Sequence, residues 1–319
     1  MANPDAASNG ALHLRERKGR PMLATQPKLT LNNGIDVPAL GFGVFQTPPD
    51  VTQAAVEEAL RVGYRMIDTA ASYVNEPEVG AAIAASGVDR SELFLQTKVW
   101  VTSYGFDQTL HAFDVSTRKL RVDTIDLYLL HQPLPQHFDS TVAAYHALER
   151  LLAEGRVRAI GVSNFSPGHL DVFLPRVEVL PAVNQVEIHP YYRQPALLAV
   201  HEQLGIVTQA WSPLGGVYLY RSPQADSSRN ALADPLIAGI AARYGKSAAQ
   251  VILRWHLDHG RSAIPKSVRP ERVAENFGVF DFALNPDEIA AIDALDTGVR
   301  GGPNQDEVDF LTFNRVIPE

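Results

Sequence analysis

The feature that most constrains this fold is a regular alternation of strand-like and helix-like segments along most of the chain. Short apolar runs bounded by turn residues predict strands, and segments with the helical spacing of apolar residues separate them. The predicted strands are Arg65–Asp68, Leu93–Lys98, Ile125–His131, Val157–Val162, Ala182–His189, Ile206–Ser212, Ala263–Lys266 and Val279–Phe282. Repeated β/α units of this kind, spread over about 250 residues, favour a closed parallel (β/α)8 barrel. An open doubly wound sheet is the alternative.

The same alternation predicts helices and one domain. The predicted helices are Val51–Val62, Pro77–Ala85, Phe106–Leu120, Thr141–Glu154, Pro167–Leu174, Ala196–Leu204, Ser247–His259 and Pro270–Asn276. Two alternating stretches around Asn32-Asn33-Gly34 predict a β-hairpin before the first unit. Residues 27–319 are therefore expected to form a single barrel domain, after a polar, flexible extension over residues 1–26. The long polar loop Gly215–Asn230 is typical of a functional lid.

Composition excludes several classes of protein and site. The net charge of −8 and the pI near 5.7 argue against a nucleic-acid surface. The chain has no cysteine, which excludes disulfides and thiolate metal sites. We find no apolar run of about 18 residues and no secretory signal, so a cytoplasmic protein without a membrane span is expected. A monomer is the default expectation, because no heptad pattern is present.

Ionisable side chains occur where several predicted strands end. The strand in "RMID" ends at Asp68, "LFLQTK" ends at Lys98 and "IDLYLLH" ends at His131, while Tyr73 follows five residues after Asp68. In a parallel barrel these ends open onto one rim, where the active site lies. Taken singly, each residue has a simpler interpretation, such as a rim ion pair between Asp68 and Lys98 or a capped strand-end histidine. Their joint arrangement indicates a catalytic group.

These four residues suit proton donation to a carbonyl oxygen. A tyrosine has an unperturbed pKa of about 10, so it donates its proton poorly near neutral pH. A lysine ammonium beside Tyr73 would lower that pKa, and Asp68 would hold Lys98 in place. A neutral His131 would donate a hydrogen bond to the same carbonyl oxygen. The group contains no nucleophile and no metal site, and it lacks only a hydride donor.

Several longer motifs carry a resemblance to a known family. The stretches "GYRMIDTAASYVNE", "LFLQTKVW", "IDLYLLHQP", "AIGVSNF", "VNQVEIHP", "AWSPLG" and "IPKSVRPERVAENF" occur in the order typical of the aldo-keto reductase superfamily. The sequence resembles that family over residues 28 to about 310, and most closely its prokaryotic branch of diketogluconate and methylglyoxal reductases. The resemblance implies a (β/α)8 barrel with a hairpin closing its bottom and NADPH-dependent reduction of aldehydes and ketones. It implies a catalytic tetrad at Asp68, Tyr73, Lys98 and His131, with Tyr73 as the general acid.

The residues themselves also indicate a cofactor site. No Rossmann GxGxxG or Walker A motif is present, but Lys266 and Ser267 precede a helix that Pro270 begins, and Arg272 lies in its first turn. A helix start of this kind binds anions. The resemblance makes the anion the 2′-phosphate of NADPH, with Glu275 and Asn276 on the adenine. Further expected cofactor contacts are Ser163, Asn164 and Gln185 for the carboxamide, Trp211 for stacking, Ser212, Leu214 and Gly215 for the pyrophosphate, and Gly43 and Val44 near the ribose.

A small-molecule carbonyl substrate is the expected partner. Phe45, Trp100, His131 and the tail after Val299 are the predicted substrate walls. His256 and His259 lie three residues apart, but no third ligand is near in sequence, so no metal site is predicted. Two other functions stay open from the sequence: an aldolase-like Schiff base on Lys98, which pairing with Asp68 opposes, and a cofactor-sensing regulatory subunit on the same fold.

Overall fold

The barrel is closed by eight parallel strands. The computed structural model describes residues 26–217 and 230–319. After the hairpin β1 (Lys28–Thr30) and β2 (Asp36–Pro38), the strands are β3 (Phe42–Gly43), β4 (Met66–Asp68), β5 (Phe94–Val99), β6 (Ile125–Leu130), β7 (Val157–Ser163), β8 (Val183–Glu187), β9 (Val207–Trp211) and β10 (Ser262–Ile264). They pair in sequence order from β3 to β10. A parallel bridge between Leu40 and Ala263 joins the two ends, so the predicted (β/α)8 barrel is confirmed.

Helices cover the outside of this barrel. They are α1 (Pro49–Val62), α2 (Glu76–Ala85), α3 (Phe106–Leu120), α4 (Phe138–Ala153), α5 (Pro167–Phe173), α6 (Pro195–Leu204), α7 (Pro235–Tyr244), α8 (Ala248–Asp258), α9 (Pro270–Phe277) and α10 (Pro286–Asp293). The predicted helices are confirmed to within three residues at each end. Helices α7 and α10 were not predicted from the sequence, although both carry clear start signals. Asp234 and Asn285 cap their first turns, and a proline follows each cap.

The predicted eighth strand, Val279–Phe282, was wrong. This stretch is an irregular segment in which Val279 is buried and Phe280 packs edge-on against Phe277, with ring centroids 5.3 Å apart. Its apolar residues therefore fill the core beside α9 without pairing in the sheet. The missing barrel strand is Phe42–Gly43, immediately after the hairpin, and it is too short to show an alternating pattern.

The hairpin closes the barrel at the end opposite the rim, as expected. Leu31 and Val37 are buried together with Met66, which begins β4. The Asn33 side chain donates a hydrogen bond of 3.0 Å to the carbonyl of Arg158, close to the start of β7. The hairpin therefore leaves the carboxyl ends of the strands open for a site.

Two predicted segments lie largely outside the described residues. They are the extension over residues 1–26, of which only Gln26 is described, and the lid predicted at Gly215–Asn230, of which residues 218–229 are not described. In the part of the chain that the structure describes, no helix has the length and hydropathy that a membrane crossing requires. The same part contains no group of three or more side chains suited to holding a metal ion.

Candidate active site

Lys98 lies at the centre of the rim and is fully buried. Its Nζ donates to Asp68 Oδ1 at 2.7 Å, to the carbonyl of Thr69 at 2.9 Å and to the Tyr73 hydroxyl at 3.3 Å. An ammonium group has three N–H donors, and each of the three meets one oxygen here. The strand ends of β4 and β5 thus bring Asp68, Tyr73 and Lys98 together, as the sequence predicts.

Asp68 is held by two glutamines as well as by the lysine. Its Oδ1 accepts hydrogen bonds from Gln96 Nε2 at 2.7 Å and from Gln185 Nε2 at 3.0 Å. Gln209 Oε1 accepts from the same two amide nitrogens, at 2.8 Å each. Neither Gln96 nor Gln209 was predicted as a site residue from the sequence. Gln96 lies two residues before Lys98, so the period of the strand places it on the same inward face.

Burial and charge oppose each other at Lys98. Burial lowers the pKa of Lys98 from its ordinary value, and the carboxylates of Asp68 and Glu76 act in the opposite direction. The three short contacts to oxygen atoms match the protonated form. We therefore assign an ammonium to Lys98, which places a positive charge beside the Tyr73 phenol.

Tyr73 ends a single turn of 3-10 helix, Ala71–Tyr73, that follows β4. Its ring lies edge-on to Phe45 and to His131, with centroids 5.1 and 5.7 Å apart. The Lys98 Nζ is 5.0 Å from the centre of the same ring. The phenol is thus bordered by one cation and two aromatic rings.

His131 directly follows β6 and is 9% exposed. Burial and the nearby charge of Lys98 hold the pKa of His131 well below its ordinary range, so the imidazole is neutral. Its Nδ1 is 3.4 Å from the Ser72 hydroxyl, and its ring lies edge-on to Trp100 at 5.0 Å. A neutral imidazole in this position can donate one hydrogen bond to a carbonyl oxygen.

A polar network at the ends of β7, β8 and β9 joins the predicted carboxamide residues. Asn164 Nδ2 donates to the His131 carbonyl at 3.0 Å and to Ser163 Oγ at 3.1 Å. Its Oδ1 accepts from Trp211 Nε1 at 2.9 Å, and Ser163 Oγ donates to the Gln185 carbonyl at 2.8 Å. These four residues therefore lie side by side next to His131. The Gln185 amide nitrogen donates to Asp68 Oδ1 and to Gln209 Oε1, so this side chain supports the carboxylate of the catalytic group.

The residues predicted to contact the pyrophosphate and the ribose lie in a closed turn and in closely packed backbone. Ser212 has φ of 49° and Gly215 has φ of 71°, and a hydrogen bond of 2.8 Å from the Gly215 N–H to the Ser212 carbonyl closes the turn that contains Leu214. A Cβ at Gly43 would lie 2.9 Å from a side-chain methyl of Ile264, so any larger residue would force Ile264 to shift. Val44 is buried, and its N–H donates to the Asp68 carbonyl at 3.1 Å.

The amino terminus of α9 has uncompensated positive charge. Lys266 and Arg272 are exposed, and among residues 26–217 and 230–319 neither forms a salt bridge. The residue at the cap position is Arg269, and no side chain caps this helix. Ser267 Oγ accepts from the Arg269 N–H at 3.1 Å in the preceding turn. Two free cations at an uncapped helix start fit an anion. Glu275 and Asn276 lie on the last turn of the same helix.

Aromatic side chains border the open side of the rim. Phe45 is 38% exposed, whereas Trp100 is buried and its Nε1 has no acceptor among the described residues. The predicted tail wall contributes Phe313, 5.6 Å from Trp100, and Phe310, 4.6 Å from His137. The tail was predicted from the sequence to form part of the substrate wall, but these two phenylalanines were not singled out.

His256 on α8 and His259 directly after that helix serve a structural purpose. His256 Nε2 is 3.2 Å from the Pro213 carbonyl, and His259 Nε2 is 3.0 Å from Asp293 Oδ1. Burial, with the charge of Arg261, lowers the pKa of His256 well below its ordinary value, so its Nε2 donates to the carbonyl as a neutral ring. This contact supports the turn that contains Leu214.

Comparison with known proteins gives consistent matches over most of the chain. Residues 39–297 match the model of the Aldo/keto reductase family. The chain is 49% identical to morphine 6-dehydrogenase of Pseudomonas putida, over 93% of this chain and 100% of that protein. It is 41% identical to methylglyoxal reductase DkgA of Escherichia coli, over 89% and 99%. The crystal structure of a Gox0644 mutant in complex with NADPH is 40% identical, with a TM-score of 0.82 over 90% of this chain and 100% of that one.

Proposed function

The chain belongs to the aldo/keto reductase family, and we propose that it reduces aldehydes and ketones, dicarbonyls and keto sugars among them, with Tyr73 as the general acid. It is an NADP-dependent oxidoreductase of this family. The name of the methylglyoxal reductase relative supports a dicarbonyl substrate. That relative also fits the predicted resemblance to the prokaryotic branch of the family.

The observation that carries this proposal is the set of three hydrogen bonds made by Lys98. The ammonium lies 3.3 Å from the Tyr73 hydroxyl and 2.7 Å from Asp68. A positive charge at this distance favours the phenolate over the phenol, so it makes Tyr73 a stronger acid. Tyr73 would therefore transfer its proton to the carbonyl oxygen as negative charge develops there.

His131 would orient that carbonyl oxygen. Its imidazole is neutral and its ring centroid is 5.7 Å from that of Tyr73. A donor aimed at the position where negative charge develops contributes most in a site shielded from water. His131 supplies the hydrogen bond, and Tyr73 supplies the proton.

NADPH, when bound, supplies the hydride. We assign its carboxamide to Ser163 and Asn164, and its nicotinamide face to Trp211, because these side chains lie next to His131 in one network. The turn from Ser212 to Gly215 would approach the pyrophosphate. Lys266, Ser267 and Arg272 would hold the 2′-phosphate, because the start of α9 offers an anion site without an internal partner.

The substrate would enter along the aromatic border of the rim. Phe45 lies against Tyr73, and Trp100 connects His131 with Phe313. Apolar walls of this kind favour a carbonyl with an apolar substituent on one side.

A screen of NADPH oxidation against aldehydes, diketones, keto sugars and a polycyclic ketone tests this function. We expect steady turnover with several aldehydes and with at least one dicarbonyl. Absence of turnover with every carbonyl, together with tight NADPH binding, would contradict it and support a cofactor-sensing role. Borohydride trapping with the same carbonyls should leave Lys98 unmodified, because its nitrogen is already surrounded by three oxygen atoms.

A further inference from the structure

Asn75 occupies the position before α2 but does not cap that helix. Asparagine is a preferred residue at this position because its side chain usually accepts a hydrogen bond from the first turn. The Asn75 side chain makes no such bond, although the residue is fully buried. Its amide therefore serves another purpose.

All of its side-chain hydrogen bonds connect to segments that build the active site. Asn75 Oδ1 accepts from the Thr69 hydroxyl at 2.9 Å, and Nδ2 donates to the carbonyls of Val44 at 3.0 Å and Thr47 at 3.2 Å. Val44 and Thr47 flank Phe45. One side chain thus joins the loop after β3, the residue after Asp68 and the turn that carries Tyr73.

The segments that Asn75 holds are in direct contact with Lys98 and Tyr73. The Thr69 carbonyl accepts from Lys98 Nζ at 2.9 Å. The Phe45 ring, between the other two partners, lies 5.1 Å from the Tyr73 ring. A shift of Asn75 would therefore reach Lys98 through Thr69 and Tyr73 through the backbone and Phe45.

The turn between Tyr73 and Asn75 needs such support. Val74 has φ of 57°, in the left-handed region that a β-branched residue rarely adopts. A strained residue of this kind persists only where its surroundings fix it. The bond from Lys98 to the Tyr73 hydroxyl, at 3.3 Å, is also the longest of the three that the lysine makes, so it is the one most easily lost.

We propose that Asn75 is a positioning residue that holds the Tyr73 phenol against Lys98 and fixes the Phe45 wall beside it. The inference rests on the proposed role of Tyr73 as general acid. Asn75 touches neither Lys98 nor the phenol, and it acts through Thr69, Val44 and the strained turn.

The charge around Tyr73 makes this proposal measurable. Lys98 from β5 and the neutral His131 after β6 face the phenol, Asp68 from β4 is paired with Lys98, and Glu76 acts on Lys98 at longer range. Asn75→Ser changes none of these charges. A shift in the pH–rate profile of that variant would therefore report a movement of Tyr73 away from Lys98.

The control is a second asparagine that is also fully buried. Asn184 Nδ2 donates to the Phe165 carbonyl at 2.9 Å and lies 2.9 Å from His201 Nε2. It holds a loop to a strand, as Asn75 does, but none of its bonds reaches the tetrad. Asn184→Ser should lower the melting temperature about as much as Asn75→Ser while leaving the catalytic constants nearly unchanged.

The experiment measures kcat, KM for NADPH, the pH–rate profile and the melting temperature of both variants. For Asn75→Ser we expect kcat to fall by about tenfold to a hundredfold, within the contribution of general acid catalysis. The KM for NADPH should stay within about threefold, and the loss of rate at high pH should move to higher pH, because a more distant ammonium raises the pKa of a phenol. Asn184→Ser should keep kcat within about threefold.

Two outcomes would overturn the proposal. One is an Asn75→Ser enzyme that is less stable but has the wild-type kcat and pH profile, and the other is an equal loss of kcat in both serine variants. If Asn75→Ser does not fold, Thr69→Val removes only the hydroxyl that Asn75 accepts from, and it should shift the profile in the same direction. Activity in Tyr73→Phe would refute the general acid itself, whereas an inactive Tyr73→Phe with a normal Asn75→Ser would refute only the positioning role.

Discussion

The catalytic rim and the start of α9 differ in how their charges are compensated. At the rim, Lys98 and Asp68 are buried and meet partners within the chain at 2.7–3.3 Å. At α9, Lys266 and Arg272 are exposed and form no salt bridge in the described ranges 26–217 and 230–319. The charges at the rim are compensated within the chain, whereas the positive charges at the start of α9 are available to an anionic ligand.

This difference predicts a division of labour. A preorganised group of charges lowers the barrier of a reaction, because no reorganisation is needed when the charge develops. A cationic helix start without an internal partner contributes to affinity for an anion. Changes at the rim should therefore act on the rate, and changes at α9 should act on cofactor binding.

The largest expected effect is that of Tyr73→Phe. Turnover should fall by about 10²–10⁴-fold, because the variant loses the proton donor but keeps the ring that packs on Phe45. NADPH affinity, measured by fluorescence titration, should persist. Tyr145→Phe is the control for loss of a phenolic hydroxyl, since Tyr145 is fully buried away from the rim and its hydroxyl has no partner among the described residues. Near-normal turnover in Tyr73→Phe would show that the acid assignment is wrong.

Lys98→Met should have a smaller effect on rate and a distinct effect on pH dependence. A cation within about 4–6 Å shifts the pKa of an acid by roughly one to three units. Removal of the Lys98 ammonium should therefore raise the pH at which the rate is lost by about that amount. Asp68→Asn should impair reduction less. Removing one partner of a buried pair also costs about 3–5 kcal/mol of stability, so melting temperatures are measured in parallel. A Lys98→Met profile that matches wild type would contradict the coupling to Tyr73.

Arg272→Ala tests the α9 side of the comparison. Loss of one charge-assisted hydrogen bond costs about 1.5–3 kcal/mol, so NADPH affinity should fall by about ten- to a hundredfold and NADH affinity much less. The maximal rate at saturating NADPH should change little. Arg243→Ala removes the same charge from an exposed arginine paired with Glu288 and should leave NADPH affinity unchanged. If Arg272→Ala weakened the binding of NADPH and of NADH equally, Arg272 would have a structural role and would not bind the 2′-phosphate.

The smallest expected effect is a response to mild acid. Because burial and Lys98 depress the pKa of His131, the imidazole should stay neutral as the pH falls through about 6.5, the ordinary value for histidine. Initial rates of reduction at about pH 7.5 and about pH 6 should therefore differ by less than about twofold. A clear loss of rate with an apparent pKa near 6.5 would mean that His131 titrates as an ordinary histidine.

The sequence was sufficient for most of the fold, and its failures have physical causes. Helices such as α3 were predicted to the residue, because their amphipathic spacing is long enough to read. The two-residue strand Phe42–Gly43 has no readable alternation, whereas Val279–Phe282 is apolar because it packs on the core. The missed helix α7 is a second helix in the connection from β9 to β10, and α10 follows the last β/α unit, so the repeat gave no reason to expect either of them.

At the site, the sequence predicted the residues that carry charge and missed those that support them. Asp68, Lys98 and His131 stand out as ionisable groups at the ends of apolar strands. Gln96 and Gln209 are neutral amides within strands, and only the closed barrel brings them next to Asp68 and Gln185. Asn75 follows the pattern of a helix cap, and only its actual hydrogen bonds reveal a different use.

The most direct test of this division of labour is a double-mutant cycle of Tyr73→Phe and Arg272→Ala. The single-turnover rate and the NADPH dissociation constant are measured on the same samples of the wild type, both single variants and the double variant. We expect Tyr73→Phe to change only the rate and Arg272→Ala only the affinity, with the effects in the double variant adding within about 0.5 kcal/mol, as for independent sites. A Tyr73→Phe enzyme that binds NADPH ten times more weakly, or an Arg272→Ala enzyme with a tenfold slower single turnover, would contradict the account.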